Sequence, residues 1–565
     1  MNLKLPILFC LLSYILIAQT PTTDDTANWQ VSNLTADNAL AYPYEITYGP
    51  DGFLWITQRG NYNSVPGERV VRVNPADGSK STMINLSSQV SQTAGQDGLM
   101  GMAIHPDLYA NVATTTNNYV FVAYTYNSGG RKLRIARLLF NNATKTLSPD
   151  TSLNANGTII QGIEASNDHN SGRLKIGPDL KLYYTIGDQG ANQFGNACKE
   201  IKAQFLPSVI GDYSNYKGKT LRLNLDGSVP SDNPIINGFQ SHVYTYGHRN
   251  PQGIIFGSNG KLYSSEHGPK TDDEINIIES GNNYGWPLVS GYQDGTSYYE
   301  YCNWSTAPDC IDGTNTDTNT DHSCLDGSTI TLETDPLNPT ITEPIKTFGT
   351  LSEIDDPGYD FTTGWFTWPT TAPASIDIYE GGVIPDWNNS LIIPTLKKGT
   401  IYRAKLSADG LSIDGEYEEF HSSNDRYRDV ALDPDGVTMY AITDNSGGTS
   451  GPSGTTGVTI DNPGVIVKIK YIGPTLSTNG FVLNNDFKLI PNPATNNFKI
   501  QYSNAKINDI NIEIFDIQGR IVKQIKNLKN NHLVNTTDLS NGSYFVKIYD
   551  QDFNSIGNKK LIVTN

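Results

Sequence analysis

One phrase, a Gly/Pro/Asp turn running straight into a short apolar strand, recurs through this chain. It reads Gly49-Pro50-Asp51-Gly52-Phe53-Leu54-Trp55, then Gly177-Pro178-Asp179-Leu180-Lys181-Leu182-Tyr183, then Ser258-Asn259-Gly260-Lys261-Leu262-Tyr263, then Asp433-Pro434-Asp435-Gly436-Val437-Thr438-Met439-Tyr440. A second phrase alternates with it, an Arg-bearing strand that ends in a turn: Val71-Arg72-Val73-Asn74 with Asp77-Gly78, Leu221-Arg222-Leu223-Asn224 with Asp226-Gly227, and Tyr402-Arg403-Ala404-Lys405 with Asp409-Gly410. A repeated strand, turn, strand unit cannot bury both faces alone and must stack on its neighbours. The expected fold is therefore all-β, a β-propeller of about six blades over roughly 450 residues. A β-sandwich or a set of unrelated hairpins is the rival.

Composition agrees with strands. Of 565 residues 31 are Tyr, 52 Gly and 30 Pro, a bias towards strands and tight turns. The formal net charge of −18 argues against nucleic acid or an anionic membrane as partner, because both would repel such a surface. Surplus carboxylates can also supply the oxygen ligands that Ca²⁺ prefers. Lys4, the apolar run Leu5 to Ile17 and the small Ala18 carry the parts of a signal peptide over residues 1–18, and the run is too short to span a bilayer. Export is expected. Four cysteines then remain in an oxidising compartment, Cys198, Cys302, Cys310 and Cys324, so disulfides are expected too. Three pairings are open, and the preferred reading has Cys302, Cys310 and Cys324 bracing one long loop.

That loop is a polar insertion over Cys302 to Thr340, whose Asp312, Asp317, Asp321 and Asp326 lack the spacing of a hand-type Ca²⁺ loop. Another flexible stretch runs from Asn445 to Gly457. Near residue 480 the charge balance changes sign: residues 481–565 carry net +3 and the preceding 480 carry −21. The organisation read from this is a propeller over 30–472, a linker over 473–484 and a small domain over 485–565. In the small domain, alternation at Ile510, Ile512 and Ile514, the turn Asp516 to Arg520 and the strands Ile521 to Ile525 and Tyr544 to Ile548 describe an antiparallel β-sandwich.

Chemistry concentrates in three segments, Asn167 to Arg173, Tyr183 to Gly190 and Gly247 to Gly253. Together they put an imidazole, two carboxylates, a guanidinium and a carboxamide on glycine-flanked turns after apolar runs. That set can take a proton and hold a developing anion.

The small domain resembles the type A C-terminal sorting domain of type IX secretion cargo, through Leu489-Ile490-Pro491-Asn492-Pro493-Ala494, Ile514 to Arg520, Leu539 to Val546 and Lys559-Lys560-Leu561-Ile562-Val563. The resemblance implies the type IX secretion machinery as a partner, and release or retention at the outer cell surface. Residues from about 30 to 472 resemble the soluble quinoprotein glucose dehydrogenases and their aldose dehydrogenase relatives, the glucose and sorbosone dehydrogenase family. The motifs are Ala94 to Gly101, Asp168-His169 with Ser171 to Leu174, Ile186 to Gly190, Gly247 to Gly253, Ser265 to Pro269 with Asp272 to Asn276, Asn283 to Pro287, Leu396 to Gly399 and Arg426 to Val430. What this resemblance implies is a six-bladed propeller that binds pyrroloquinoline quinone (PQQ) and Ca²⁺ and oxidises aldoses to lactones.

Carried over residue by residue, the resemblance makes His169 the general base, Asp188 the group that orients it, and Arg249 the charge facing the quinone oxyanion. Gln96, Arg249, Asn250, Thr370, Lys397, Arg426 and Arg428 would contact the cofactor, three of them as cations for its three carboxylates. Gln96, Asp168 and Trp368 would contact the sugar. Backbone carbonyls of Gly268 and Pro269 would hold the Ca²⁺, and Asp273, Glu274, Tyr284, Tyr292 and Asp294 match a segment that holds further Ca²⁺ near a homodimer interface. Two departures bear on the sugar: His267 stands where glutamine is expected, and Trp365 and Phe366 make the substrate wall more aromatic. The function expected is an exported sugar dehydrogenase passing hydride from C1 to PQQ and electrons onward to an unknown acceptor. A Ca²⁺-dependent propeller lactonase and a non-catalytic carbohydrate-binding propeller are the rivals.

Overall fold

In their first two copies the two recurring phrases form neighbouring strands of one sheet, and the carboxylate of the turn joins them. Trp55 Nε1 donates to Asp51 Oδ1 at 2.9 Å and the Tyr183 hydroxyl donates to Asp179 Oδ2 at 2.9 Å. From the next strand Arg72, opposite Trp55 in register, bonds Asp51 at 2.9 Å, and Arg222, opposite Tyr183, bonds Asp179 at 2.8 Å. The later copies keep only part of this device. Asn259 donates to the Tyr263 hydroxyl and Tyr440 donates to Asp433, whereas Arg403 pairs with Glu418 instead.

The structure, a computed structural model, describes residues 22–93, 95–296, 298, 300–311, 324–335, 340–351, 366–451, 457–473, 487–502, 509–516, 520–551 and 555–564. The expected signal peptide, Asp312, Asp317, Asp321, Trp365 and most of the expected linker lie outside these. The chain divides into two units, Met1–Gly473 and Pro474–Asn565.

In the first unit the described residues form six antiparallel sheets of four strands, one with a fifth strand attached. Their first strands are Pro43–Tyr48, Leu99–Ile104, Leu174–Ile176, Pro251–Phe256, Asp377–Tyr379 and Tyr427–Leu432. Each first strand touches the next, and Tyr427–Leu432 touches Pro43–Tyr48, so the sheets close a ring. Closure also uses the chain ends: Trp29–Asn33 pairs with Ile466–Tyr471 as the outer strand of the last sheet. Trp29 packs there against Trp387, Phe420 and Tyr471. Interior strands such as Leu182–Ile186 are buried along their whole length, while the outermost Lys80–Asn85 exposes Lys80, Ser81 and Thr82, as stacked sheets with polar rims require.

At the centre of the ring sits Arg173, just before the third sheet. Nη1 bonds Glu45 at 2.6 Å and Asp429 at 2.9 Å, Nε donates to the Gln252 carbonyl at 3.0 Å and Nη2 to the Ala374 carbonyl at 3.0 Å. One guanidinium thus binds segments of four other sheets to its own. Burial works against its charge, but Asp429 and Glu45 hold it firmly protonated.

The insertion differs from the loop that was expected. Glu300–Asn303 pairs with Thr329–Leu332, so its base is a short hairpin, and Gly448–Thr449 pairs with Val458–Thr459 in the second stretch expected to be flexible. Disulfides join Cys302 to Cys324 and Cys198 to Cys310. Cys198 therefore belongs to the brace, which ties the insertion to a loop 112 residues earlier.

The second unit has a three-stranded sheet (Phe487–Ile490, Asn497–Tyr502, Leu533–Asn535) and a four-stranded one (Ile521–Lys529, Asp509–Phe515, Gly542–Tyr549, Ser555–Val563). Phe498, Ile500, Ile510, Ile512, Ile514, Val546 and Ile548 join a single apolar core between them.

Replacing Arg173 by Met leaves Glu45 and Asp429 buried with only Lys175, 3.3 Å from Glu45, as counter-charge. The first unit is expected to lose about 3–5 kcal/mol, read from its denaturant midpoint. Glu418→Gln, which removes the half-exposed partner of Arg403, is expected to cost under about 1 kcal/mol.

Candidate active site

Three backbone segments meet at Gly187. Asp188 N donates to the Arg249 carbonyl at 2.7 Å, and a Cβ at Gly187 would lie 2.3 Å from the His169 carbonyl and 2.9 Å from that of Arg249. Only glycine permits that approach. His169, Ser171 and Gln189 have left-handed backbone, with φ of 42°, 52° and 68°, a conformation that side chains tolerate where the surroundings fix it.

The turn aims His169 between two different faces. Nδ1 lies 2.7 Å from Asp188 Oδ1, which also accepts from Gly190 N at 2.8 Å, while Asp188 Oδ2 accepts from Trp286 Nε1 at 2.9 Å. A carboxylate has no proton to give, so the imidazole carries its hydrogen on Nδ1 and keeps a lone pair on Nε2. Gln193 Nε2 sits 3.1 Å from that Nε2 and also donates to Asp168 Oδ2 at 2.8 Å. Asp168 Oδ1 accepts from Gln96 Nε2 at 2.5 Å. Arg249 reaches the same place, with Nη2 3.1 Å from Gln193 Oε1 and its guanidinium 5.5 Å from the Trp286 ring centre.

Gln96, Asp168, His169, Gln193, Arg249 and Trp286 line a cavity of about 420 Å³. Lys397, Arg426 and Arg428 line the same cavity. Lys397 Nζ donates to the Trp368 carbonyl at 2.7 Å and to Thr370 Oγ1 at 2.6 Å. Burial lowers its amine to about 7, Asp273 opposing and Lys398 adding to the shift. Arg428 bonds Asp444 at 2.5 Å, and Arg59 bonds the same carboxylate at 3.3 Å. Burial lowers Arg426 to about 10, Asp444 opposing it and Arg428 and Arg59 adding to it. Among the described residues the Nε–H groups of Arg426 and Arg428 are buried without a hydrogen-bond partner. The three guanidinium groups around the one Asp444 carboxylate leave an excess of positive charge, which suits an anion.

Gly268 and Pro269 also line the cavity. A Cβ at Gly268 would fall 2.0 Å from the Thr271 carbonyl, so this tight loop too needs glycine. Asp273 holds it: Oδ1 accepts from Gly268 N at 2.9 Å and Oδ2 from Thr371 N, from Thr371 Oγ1 at 3.0 Å and from Ala372 N at 3.0 Å. Asp273, expected as a metal ligand, ties this loop to residues 371–372 through both carboxylate oxygens. Asn250, expected at the cofactor, is wholly buried outside the cavity lining, where its Oδ1 accepts from Ser171 Oγ at 3.0 Å and Gln252 Nε2 at 2.8 Å. Gln96, Asp168, Trp368 and Thr370 all face the cavity.

Apart from this cavity lies a group of buried acids. Glu274 accepts from Gly291 N at 2.7 Å and from Asn276 at 2.8 Å, yet burial, Glu266 and Asp272 hold its carboxyl well above the usual range. Asp272 is raised to about 6 and Glu333 to about 8, both chiefly by burial, with Asp294 adding to each. Asp272 Oδ2 and Glu333 Oε1 lack partners. Tyr284 is occupied, donating to the Ile277 carbonyl at 2.6 Å and accepting from Glu279 N at 2.9 Å; Tyr292 is half-buried. Among the described residues no three of these acids bring ligand atoms within 4.8 Å of one another.

Sequence reasoning missed Gln193, Asp444, Glu333 and the second wall made by Trp286, Tyr298, Glu300 and Tyr301. Trp286 lay within a motif already singled out. Gln193 and the 298–302 segment are brought in by tertiary contacts, and nothing local in the sequence marks them.

Residues 40–312 and 340–450 match the family described as Glucose / Sorbosone dehydrogenase, and residues 488–564 match the Secretion system C-terminal sorting domain. The chain is 40% identical over 454 residues to quinoprotein glucose dehydrogenase B of Acinetobacter calcoaceticus, spanning 76% of this chain and 89% of that one. Against aldose sugar dehydrogenase YliI of Escherichia coli it is 27% identical, over 42% of this chain and 51% of the relative. The PQQ-bound form of an aldose sugar dehydrogenase from Streptomyces coelicolor shares the fold, with a TM-score of 0.50 and 23% identity over 79% of this chain and 99% of that one.

With its amine lowered to about 7, Lys397 is expected to undergo reductive methylation half-maximally near neutral pH in the free protein. Filling the cavity with a polycarboxylate is expected to protect it and move that midpoint up. A midpoint near that of exposed lysines would contradict the desolvated cation described here.

Proposed function

The chain belongs to the glucose and sorbosone dehydrogenase family, and from that premise we propose that it is an exported PQQ- and Ca²⁺-dependent aldose dehydrogenase that oxidises C1 of an aldose to the lactone. The ring of six sheets is read as a six-bladed propeller, and the C-terminal unit, which carries the sorting domain that directs export, as a β-sandwich. One observation carries the reading: a single cavity is lined by three cations, Lys397, Arg426 and Arg428, and by His169, whose Nδ1 lies 2.7 Å from Asp188.

A tricarboxylate suits this lining. Arg426, Arg428 and Lys397 supply cations, and Thr370 a hydroxyl, for its carboxylates. The carbonyls of Gly268 and Pro269 would hold the Ca²⁺ beside it. When bound, the quinone provides the acceptor for hydride leaving C1, and the metal the Lewis acidity that favours transfer. Everything else falls to the chain. His169 Nε2 takes the C1 hydroxyl proton, at the position where Gln193 now donates. Asp188, fixed by Trp286 and Gly190, keeps the ring oriented and offsets the positive charge it gains. Asp168 and Gln96 present an acceptor and a carboxamide to the sugar hydroxyls, and the Trp368 ring offers a stacking face. Arg249, held by Gln193, places its charge where negative charge develops. The segment with Asp273, Glu274, Tyr284, Tyr292 and Asp294 is read as the place of further Ca²⁺, held through side chains and carbonyls.

Dye reduction by an aldose is expected only after both PQQ and Ca²⁺ are added. His169→Ala is expected to lower kcat by about 10²–10⁴-fold while PQQ still binds, and Arg426→Ala to weaken PQQ binding by about 2–5 kcal/mol, read by absorbance titration. Sugar turnover without PQQ, or lactone hydrolysis with Ca²⁺ alone, would overturn the assignment in favour of a hydrolase.

A further inference from the structure

The loop that carries Gln193 is anchored on the insertion. Asn192 Nδ2 donates to the Cys302 carbonyl at 2.9 Å, and Asn192 Oδ1 accepts from Trp304 N at 3.0 Å. One carboxamide thus bonds two backbone groups of the segment Cys302 to Trp304, using a donor and an acceptor at once. Its own N–H closes the loop, 3.0 Å from the Asn196 carbonyl and 3.1 Å from that of Lys199. Asn192 has left-handed backbone, with φ of 63°, which Asn tolerates better than most residues.

The anchor is braced in turn. Cys302 is bonded to Cys324, and Cys198, on the loop of Asn192, to Cys310. Trp304, 2% exposed, packs with Ala197, Cys302, Cys310, Cys324 and Leu325.

Gln193, the next residue, stands between opposite charges. Its Oε1 accepts from Arg249 Nη2 at 3.1 Å, and its Nε2 donates to Asp168 Oδ2 at 2.8 Å and lies 3.1 Å from His169 Nε2. Arg249 and Asp168 make no ion pair with each other among the described residues, although opposite charges this near attract strongly. A neutral side chain that satisfies both is what separates them.

We propose that Asn192 is a positioning residue for the sugar pocket: by fixing its loop to the braced insertion it holds the Gln193 carboxamide as a spacer that stops Arg249 and Asp168 from closing into an ion pair. Its role in turnover rests on the aldose-oxidation reading above. An arriving C1 hydroxyl displaces only the N–H of Gln193 at His169 Nε2, and the second N–H and the oxygen keep their partners. Without the spacer, Asp168 would neutralise the guanidinium that faces the negative charge developing in the reaction, and would itself have fewer lone pairs for sugar hydroxyls.

Three measurements on the full chain test this. In the free protein, ethoxycarbonylation of His169 by diethyl pyrocarbonate, followed by peptide mass spectrometry against the exposed His532, reads how well Gln193 covers Nε2. Asn192→Gly removes the carboxamide and suits left-handed backbone. His169 is expected to react about tenfold faster in this variant and in Gln193→Ala alike. A crystal structure of free Gln193→Ala is expected to show Arg249 within about 3 Å of Asp168; a pair still apart would overturn the spacer role. With PQQ and Ca²⁺, each single variant is expected to lower kcat/KM for the aldose by about tenfold or more, whereas adding Asn192→Gly to Gln193→Ala is expected to lower it by less than about twofold further. Unaltered His169 reactivity in Asn192→Gly, or losses that multiply in the double variant, would overturn the proposal, because an Asn192 that only stabilises the fold acts without Gln193. Should His169 reactivity and the Arg249–Asp168 contact change as expected while no form oxidises a sugar, the dehydrogenase reading fails and the positioning role of Asn192 stands.

Discussion

The guanidinium of Arg173 on the ring axis is the interaction on which the remaining geometry depends. Six sheets stacked face to face through apolar side chains can slide against one another, because apolar contact has no direction. A buried cation shared among Glu45, Asp429 and the carbonyls of Gln252 and Ala374 is directional, and it fixes five sheets to one point. His169 precedes Arg173 by four residues and Arg249 precedes Gln252 by three, so the segment that anchors the axis also delivers the site.

From that anchor the chemistry follows by short connections. The loop bearing His169, the loop bearing Asp188 and the loop bearing Arg249 interlock at Gly187 with no room for a side chain. Asp188 is then saturated by three donors, which leaves the imidazole only one way to carry its hydrogen. In the same site, Asp444 draws Arg428 and Arg59 together, and with Arg426 they hold its carboxyl below the usual range although burial opposes this. One carboxylate cannot neutralise three guanidinium groups, and the surplus charge is what an anionic ligand meets.

Much of this could be read along the chain, and the exceptions have physical causes. The turn phrases disclosed repeated sheets because in each an Asp or Asn of the turn bonds the aromatic of the strand that follows, four residues on in three copies and seven in the last. His169, Asp188 and Arg249 stood out because each lies in a short segment that carries glycine, and at Gly187, beside Asp188, the backbone crossing demands one. Gln193 did not, since its loop takes shape only against the insertion and through the Cys198–Cys310 bond, a partner 112 residues away that spacing cannot reveal. What Asp273 does within the chain was hidden for a related reason: only the folded chain shows its carboxylate oxygens accepting from backbone donors at 268 and at 371–372.

The central claim is that one cavity orients a tricarboxylate redox ligand between fixed cations and an imidazole base. A crystal structure of the full chain grown with PQQ and Ca²⁺ tests this most directly. The account predicts density for the cofactor with its carboxylates on Lys397, Arg426 and Arg428, its quinone edge towards Arg249, and room above it beneath His169 Nε2. Density absent from this cavity, or a cofactor turned with its carboxylates away from those three cations, would contradict it.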